Sequence, residues 1–268
     1  MTSPNSTPKL ELLWSQEFDS PQGASPDLTF WSYQIGDGTD YGIPGWGNQE
    51  LEYYTDTQAT MDGEGNLVLH AVKNSQDAQD FMCYYGPAQW LSSRLATAGK
   101  LTFKYGRIEA RIKAPTGGGS WPALWMLGTD IEQNPWPQCG EIDIIELRGN
   151  APREVIGTVH GPDYFGDNGN GTSLWLDADV ADEFHTFTID WLPDSITWYF
   201  DGRKYFALTA ADVAPKEWVF NHEFYLLLNL AVGGGFAGEV DPDLTSTQLV
   251  VDWIRHYSID GVGESLTH

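Results

Sequence analysis

The chain has 268 residues, a length that is ordinary for a single all-β domain and long enough to bury a large core. Its 14 Lys and Arg residues against 38 Asp and Glu residues give a formal net charge of −24, which argues against nucleic acid, anionic membranes and sulfated polyanions as partners. A neutral or cationic ligand is favoured, and no apolar run reaches the length of a membrane span.

The chain begins with a polar segment that has no hydrophobic signal core. Residues 1–10 are predicted to be a disordered lead, or the start of a mature form whose signal peptide is missing. No internal repeat or linker interrupts the rest, so residues 11–268 are predicted to form one domain.

Strand patterns then follow one another, separated by Gly, Asp, Asn and Pro. The segment 101–113 alternates apolar and polar residues, and its parity changes at Gly106, which predicts a bulge or bend there. Asp201-Gly202 between two alternating runs predicts a hairpin, and only residues 209–213 suggest a helical turn. About a dozen strands with almost no helix predict an all-β jelly-roll sandwich of two curved antiparallel sheets, with a concave face as a cleft.

The most unusual stretch is 140–146, Gly-Glu-Ile-Asp-Ile-Ile-Glu, where three carboxylates lie among strand-forming isoleucines. Strand alternation puts Glu141 and Asp143 on one face and Glu146 on the other. An unpaired carboxylate in the core costs several kcal/mol, so a β-bulge between Asp143 and Glu146 is predicted to return all three to one face. Ile142 and one of Ile144 or Ile145 would pack behind that face.

Twelve tryptophans are more than core packing usually requires. Trp121 and Trp125 share a strand face and lie roughly 13 Å apart, which suits a stacking platform for a few sugar rings. An equally open alternative is that some or all of the tryptophans pack inward.

Two further features leave alternatives open. Asn48 and Glu50 share a strand face and would either bind sugar hydroxyls or satisfy loop backbone. Cys83 and Cys139 have no metal-ligand spacing and would form one disulfide if the protein is secreted or be two buried thiols if it is not.

Together these residues resemble glycoside hydrolase family sixteen, in its laminarinase-like branch of endo-β-1,3-glucanases. The carboxylate motif, preceded by Trp136-Pro137 and by the block 121–125, carries most of the resemblance. Further similarity lies in the segments 45–54, 106–113, 229–234 and 251–255, so that it extends from about Leu13 to Ile259.

The resemblance implies a retaining enzyme whose two catalytic carboxyl groups lie about 5 Å apart. It assigns Glu141 as the nucleophile and Glu146 as the general acid/base. Asp143 lies between them, where its charge would raise the pKa of Glu146 and where it would hydrogen-bond Glu141. His160 is implied as a neighbour of the acid/base, although a sheet histidine with a structural role fits the sequence as well.

The resemblance also implies which residues contact the substrate. Arg94 would reach the sugar or pair with a cleft carboxylate. Phe236 stands where the family commonly has tryptophan, which puts the affinity of one sugar subsite in doubt. The implied substrate-binding residues are Trp121, Trp125, Trp136, Asn48, Arg94 and His160.

No catalytic cofactor is expected, because two carboxyl groups suffice for glycoside hydrolysis. A structural calcium ion is implied by the resemblance alone, with Asp252 as the side-chain ligand and Gly65 and Glu17 as carbonyl donors. Oxygen ligands of this kind suit calcium.

The expected substrate is a β-glucan polysaccharide. Relatives acting on mixed-linkage glucan and xyloglucan generally lack the residue added by Ile144-Ile145, and the chain has few basic residues to bind a sulfated glycan. β-1,3-Glucan is therefore the first expectation, with mixed-linkage β-1,3-1,4-glucan as the alternative and a non-catalytic glucan-binding module as a different class. A secreted monomer is expected; endo and exo action are not distinguished.

Overall fold

The computed structural model describes residues 7–75 and 80–268. Most of the predicted lead at residues 1–10 lies outside the described residues. Residues 7–9 have no regular secondary structure, and Leu10 already begins the first strand. The single-domain organisation of residues 11–268 stays a prediction.

Short strands account for most of the regular structure. The first eleven are β1 (Leu10–Gln16), β2 (Ser32–Tyr33), β3 (Glu52–Tyr54), β4 (Ala59–Met61), β5 (Leu67–Lys73), β6 (Met82–Cys83), β7 (Gly86–Pro87), β8 (Trp90–Ser92), β9 (Arg94–Ala96), β10 (Leu101–Lys104) and β11 (Gly106–Lys113). The others are β12 (Ser120–Gly128), β13 (Glu141–Glu146), β14 (Glu154–His160), β15 (Asn170–Trp175), β16 (His185–Leu192), β17 (Ser195–Phe200), β18 (Arg203–Thr209), β19 (Phe224–Val232), β20 (Ser246–Ile259) and β21 (Glu264–Thr267).

Helices are short in the described part of the chain. They are α1 (Ala210–Val213), α2 (Gly234–Ala237) and three 3-10 turns, Thr39–Tyr41, Pro44–Gly47 and Gly166–Asn168. No described helix has the length and apolar character needed to cross a membrane.

The strands form two large sheets, which confirms the predicted jelly-roll sandwich. The outer sheet has the order β18-β17-β16-β11-β20-β5-β8-β3, with β1 beside β20 and β4 beside β5. The cleft sheet has the order β15-β14-β13-β12-β19-β10-β21, with β9 and β2 attached beside β19. Pairing in both sheets is antiparallel except between β3 and β8, which run parallel.

The core lies between the sheets and follows the alternation seen in the sequence. Strand β11 alternates strictly between buried and half-buried residues, while β19, in the middle of the cleft sheet, is buried throughout. Five of the described tryptophans pack in the main core, namely Trp14, Trp31, Trp90, Trp191 and Trp198.

Three local predictions can be compared with the structure. Gly106, with φ of 92°, marks a bend at which the chain passes from β10 in the cleft sheet to β11 in the outer sheet. A β-carbon there would lie 2.4 Å from the Tyr257 carbonyl oxygen, so glycine is required. Asp201-Gly202 forms the β17–β18 hairpin, with both residues at positive φ. Helix α1 forms at the predicted turn, with Thr209 in a capping box.

Candidate active site

The predicted bulge in β13 is present. On one side Trp125 pairs with Asp143 and Leu124 pairs with Ile145, which leaves Ile144 as the extra residue. On the other side the register of β14 shifts between Asp143 and Glu146. Both Ile144 and Ile145 are buried, so the core receives both isoleucines and not only one of them.

The bulge brings the three carboxyl groups to the cleft face. Oxygen atoms of Glu141 and Asp143 and a ring nitrogen of His160 lie within 4.8 Å of one another. Trp136 Nε1 donates to Glu141 Oε2 at 2.6 Å, and Trp121 Nε1 donates to Glu146 Oε1 at 3.1 Å. Each glutamate is therefore held by one indole N–H.

His160 lies among all three carboxyl groups, and its charge is one of the causes that lower the pKa of Glu146. It stands opposite Glu141 in the β13–β14 ladder, and its Nε2 is 3.3 Å from Asp143 Oδ2. The residue expected beside the acid/base therefore also lies beside the other two carboxyl groups. In the same ladder the bulge puts Glu146 opposite Ile156.

Burial raises the pKa of each of the three carboxyl groups. For Glu141 the pKa rises to about 8, through burial first and the Asp143 charge second. For Glu146 it rises to about 7, through burial and the charge of Glu141. The pKa of Asp143 also rises, through burial and the charge of Glu146. Since ionising one group hinders the others, they titrate as one cluster, and their order alone does not assign a nucleophile and an acid.

Trp121 and Trp125 share the cleft face, while Leu124 and Met126 are buried in the core, as predicted. Trp125 is half-buried, whereas Trp121 is 9% exposed and its ring lies 4.8 Å from that of Phe236. Phe236, at the position where tryptophan is common in the family that the sequence resembles, therefore packs against the Trp121 ring.

A chain of hydrogen bonds behind Trp125 was missed by the sequence reasoning. Trp125 Nε1 donates to Asn229 Oδ1 at 2.8 Å, and Asn229 Nδ2 donates to the Tyr54 hydroxyl at 3.1 Å. Tyr54 in turn donates to Glu50 Oε2 at 3.1 Å, while Asn48 Nδ2 donates to Glu50 Oε1 at 2.9 Å. Glu50 is 3% exposed, so this carboxylate ends an internal chain and does not meet sugar hydroxyls.

Glu52 lies beside Glu50 and is fully buried. The Val232 N–H donates to Glu52 Oε2 at 2.7 Å. Burial and the Glu50 carboxylate raise the pKa of Glu52 well above its usual value, which favours its protonated form. The Glu50-Leu51-Glu52 alternation at the start of an aromatic strand was the feature of the sequence that could have predicted this buried acidic pair.

Arg94 stacks on two tryptophan rings, those of the buried Trp46 and the half-buried Trp125. Its guanidinium carbon lies 4.1 Å from the Trp46 ring centre and 4.9 Å from that of Trp125. Its Nε donates to Gln34 Oε1 at 2.6 Å. Within the described residues no carboxylate lies within 4.0 Å of Arg94, which removes the alternative of a cleft ion pair.

Trp136 forms the exposed wall next to Glu141. It is 41% exposed, and its ring lies 5.4 Å from that of Phe165, an aromatic residue that the sequence reasoning did not select. Phe165 follows Tyr164, which is fully buried and whose hydroxyl donates to the Glu217 carbonyl oxygen at 2.7 Å. The segment between β14 and β15 is therefore anchored to the core beside the cleft.

The three residues implied for calcium converge on one place in the outer sheet. Strands β1 and β5 pair with successive parts of β20, so that Glu17 and Gly65 both approach residues 252–253. The Asp252 carboxylate makes an ion pair with Arg111, and that of Glu17 with Arg255 at 2.8 Å. The Asp252 carboxylate would have to exchange its arginine partner to bind an ion.

The two cysteines are both buried as free thiols. Cys83 Sγ lies 3.8 Å from the Glu52 carbonyl oxygen and Cys139 Sγ 3.6 Å from that of Gly140. Of the two alternatives, the structure shows unbonded thiols.

Comparisons with known proteins agree with this geometry. A model of the family described as glycosyl hydrolases family 16 matches residues 45–255. The beta-glucanase of Rhodothermus marinus is 37% identical over 263 residues, covering 93% of this chain and 86% of that protein. Glucan endo-1,3-beta-glucosidase A1 of Niallia circulans is also 37% identical, over 92% of this chain but 38% of that protein. The crystal structure of the laminarinase catalytic domain from Thermotoga maritima MSB8 is 44% identical, with a TM-score of 0.86 over 93% of this chain and 98% of that one.

Proposed function

This chain belongs to glycosyl hydrolase family 16, and we propose that it hydrolyses internal β-1,3-glucosidic bonds of laminarin-type β-glucans with retention of configuration. The observation that carries the proposal is the bulged strand β13, which places Glu141, Asp143 and Glu146 on the cleft face. A glucan-binding module has no need for two glutamates on either side of an aspartate, each with an indole donor.

In the proposed mechanism Glu141 attacks the anomeric carbon while Glu146 gives its proton to the leaving oxygen. A covalent glycosyl-enzyme forms, and Glu146 then takes a proton from the water that releases the sugar. The raised pKa of Glu146 suits the acid. Glu141 has to be ionised to attack, although burial and the Asp143 charge raise its pKa to about 8. The charge of His160 and the Trp136 N–H act in the other direction and favour the charged form of Glu141.

Substrate would lie across the residues that line the cleft. Trp125 and Trp136 offer flat faces to a neutral sugar chain, and Asn48 lies exposed at the rim. Arg94 is only 6% exposed and would act by supporting the Trp125 ring. Trp121 and His160 contribute by holding Glu146 and Asp143.

The test is the release of reducing ends from laminarin. Glu141→Gln is expected to lower kcat by at least about 1,000-fold and to leave laminarin binding intact. Glu109→Gln is the matched control, because Glu109 accepts a hydrogen bond from Thr188 on the outer sheet, away from the cleft. Proton NMR of the first product should show the β anomer; release of the α anomer would rule out retention.

The second candidate is mixed-linkage β-1,3-1,4-glucan, and the relative named simply beta-glucanase favours keeping it. A product profile on laminarin, barley glucan and agarose in parallel would rank the substrates. Higher kcat/KM on barley glucan than on laminarin would reverse the order proposed here.

The reaction needs no cofactor, and a calcium ion held by Asp252 and the carbonyls of Glu17 and Gly65 would be structural. The convergence of β1 and β5 on β20 supports it. Calcium should then raise Tm, and Asp252→Asn should remove that rise. No calcium-dependent change in the wild-type Tm would contradict the site.

A secreted monomer is the form that suits a polymeric substrate, because a glucan chain cannot cross a membrane to reach an internal enzyme. The free thiols of Cys83 and Cys139 are compatible with secretion because both are buried and thereby shielded from oxidation. Sedimentation of the pure protein would test the monomer. Recovery of activity from the culture medium of the source organism would test secretion.

A further inference from the structure

The edge of the cleft sheet carries an aromatic side chain that the mechanism does not use. Trp175 ends strand β15 and is 64% exposed, the largest value among the described large hydrophobic residues that lie on the surface. A single exposed apolar side chain is normal on a protein surface and does not by itself indicate a binding site. The residues around Trp175 do indicate one.

Trp175 lies on the same face of the sheet as the catalytic carboxyl groups. In the ladders, Asp143 stands opposite Thr158 and Trp175 stands opposite Glu154. Thr158 and Glu154 are four residues apart on β14 and share a face, whereas Val155 and Val159 between and beside them pack in the core. The substrate face of the cleft therefore continues across β14 to β15.

A shallow groove of about 390 Å³ lies beside Trp175. Arg153 and Asp179 form an ion pair of 2.9 Å in its wall, so the charges there balance. One flat aromatic face, a balanced polar wall and no excess charge suit a neutral sugar chain. The groove is lined by Asn150, Ala151, Pro152, Arg153, Trp175 and Asp179.

Direct contacts connect this groove with the catalytic centre. Arg148 lies over the Phe236 ring at 5.1 Å, and that ring packs on Trp121, the residue that donates to Glu146. Arg148 is also connected to strand β15 through Glu154. Arg148 forms an ion pair with Glu154, and Ser173 Oγ donates to Glu154 Oε1 at 2.6 Å.

We propose that the Trp175 groove is a remote subsite for glucosyl units on the leaving-group side of the scissile bond. The inference rests on the proposed function and deepens it. Glu146, as the acid, protonates the leaving oxygen, so the leaving chain departs from its side of the cluster. Trp175 lies on the side of Glu146 that faces away from Trp125 and Asn229. Two strand spacings and two residues along β15 separate Trp175 from Glu146, a distance of roughly 12 Å. A few sugar rings bridge that distance, so only long substrates reach it.

The experiment compares Trp175→Ala with the wild type on laminarin and on a β-1,3-linked glucose trisaccharide. Losing the stacking face should raise KM for laminarin about tenfold, while KM for the trisaccharide changes less than about twofold. Trp175→Tyr, which keeps a ring, should lie between. In a Glu141→Gln background, which does not turn over, Trp175→Ala should weaken laminarin binding by the same factor.

Tyr199→Ala is the matched control, because Tyr199 is a half-buried aromatic residue under Arg107 on the outer sheet. Its kinetics should equal those of the wild type. Equal effects of Trp175→Ala on both substrates, or none on laminarin, would overturn the subsite. A change in sedimentation mass in Trp175→Ala would instead identify the groove as a contact between copies of the chain and also overturn it. If the wild type releases no reducing ends from either substrate, the proposed function fails first, and binding in the Glu141→Gln background still reports on the groove.

Discussion

Two pairs of acidic residues follow the same sequence pattern and end in different environments, one on strand β13 of the cleft sheet and one at the start of strand β3 of the outer sheet. Glu50 and Glu52 flank a leucine, as Glu141 and Asp143 flank an isoleucine. Both oxygens of Glu50 accept hydrogen bonds, from Asn48 and Tyr54. Glu141 accepts one, from the Trp136 indole.

The difference lies in how fully the carboxylate is satisfied. A carboxylate whose two oxygens are bonded to the protein is buried and structural, and Glu50 holds the chain that ends on Trp125. A carboxylate with one protein donor and an open side can accept a substrate. Hydrogen-bond saturation thus separates Glu50 from Glu141. Glu52 accepts only one hydrogen bond and is kept from the cleft by its full burial. Burial raises the pKa of both Glu52 and Glu141.

The largest expected effect compares the two regions directly. Glu146→Gln removes the general acid and should lower kcat on laminarin by about 100- to 10,000-fold. Glu50→Gln keeps the volume and touches no reacting atom, so kcat should fall less than about tenfold. Steady-state kinetics of both variants measure this, and a loss in Glu50→Gln as deep as in Glu146→Gln would erase the distinction.

Deleting Ile144 tests the bulge itself. Asp143, Ile145 and Glu146 already stand opposite three successive residues of β12, so the deletion should regularise the strand and keep the carboxyl groups on one face. The loss of a buried isoleucine should lower the free energy of unfolding by about 2–5 kcal/mol, with part of the activity retained. Deleting Ile142 instead makes Glu141 and Asp143 consecutive, so that their side chains point to opposite faces of the strand, and it should abolish activity. Activity in both or in neither would contradict the assignment of Ile144 as the extra residue.

The raised pKa values predict how stability depends on pH. Glu141 and Glu146 have pKa values of about 8 and about 7 against 4.5 for the ordinary group, so the folded protein binds more protons than the unfolded chain in between. The free energy of unfolding should therefore fall as pH rises from about 4.5 to 8. In the double variant Glu141→Gln/Glu146→Gln, the free energy of unfolding should fall by less over this pH range, the difference being on the order of 2 kcal/mol. The difference is this small because water in the cleft screens the two charges. Urea unfolding at pH 5, 6.5 and 8 measures it, and parallel curves for both proteins would contradict it.

The smallest effect concerns the structural pair. Tyr54→Phe leaves Glu50 Oε2 and the Asn229 amide without their partner, which loosens the support of Trp125. KM for laminarin should rise about three- to tenfold, while kcat changes less than about twofold. Tyr53→Phe is the control, because Tyr53 is half-buried on the other face of β3 and packs on Phe81. Loss confined to kcat would contradict a role in positioning.

Much of the fold could be read from local pattern, because strand alternation and turn chemistry are set by neighbouring residues. The β13 bulge, the Asp201-Gly202 hairpin and the α1 turn all form where they were predicted. The bend at Gly106 was predicted too, but not the change of sheet, since which sheet a strand joins depends on distant partners.

The candidate site divides in the same way. Sequence alone determined that Glu141, Asp143 and Glu146 must share a face, because the alternative buries an unpaired charge in the core. Only the tertiary structure decided that His160 faces Asp143, that Glu50 is closed off from the cleft and that Trp175 faces the same side as the carboxyl groups. It also decided which tryptophans fill the core and which line the cleft. Each of these depends on contacts between residues far apart in the chain, and parity within one strand carries no information about them.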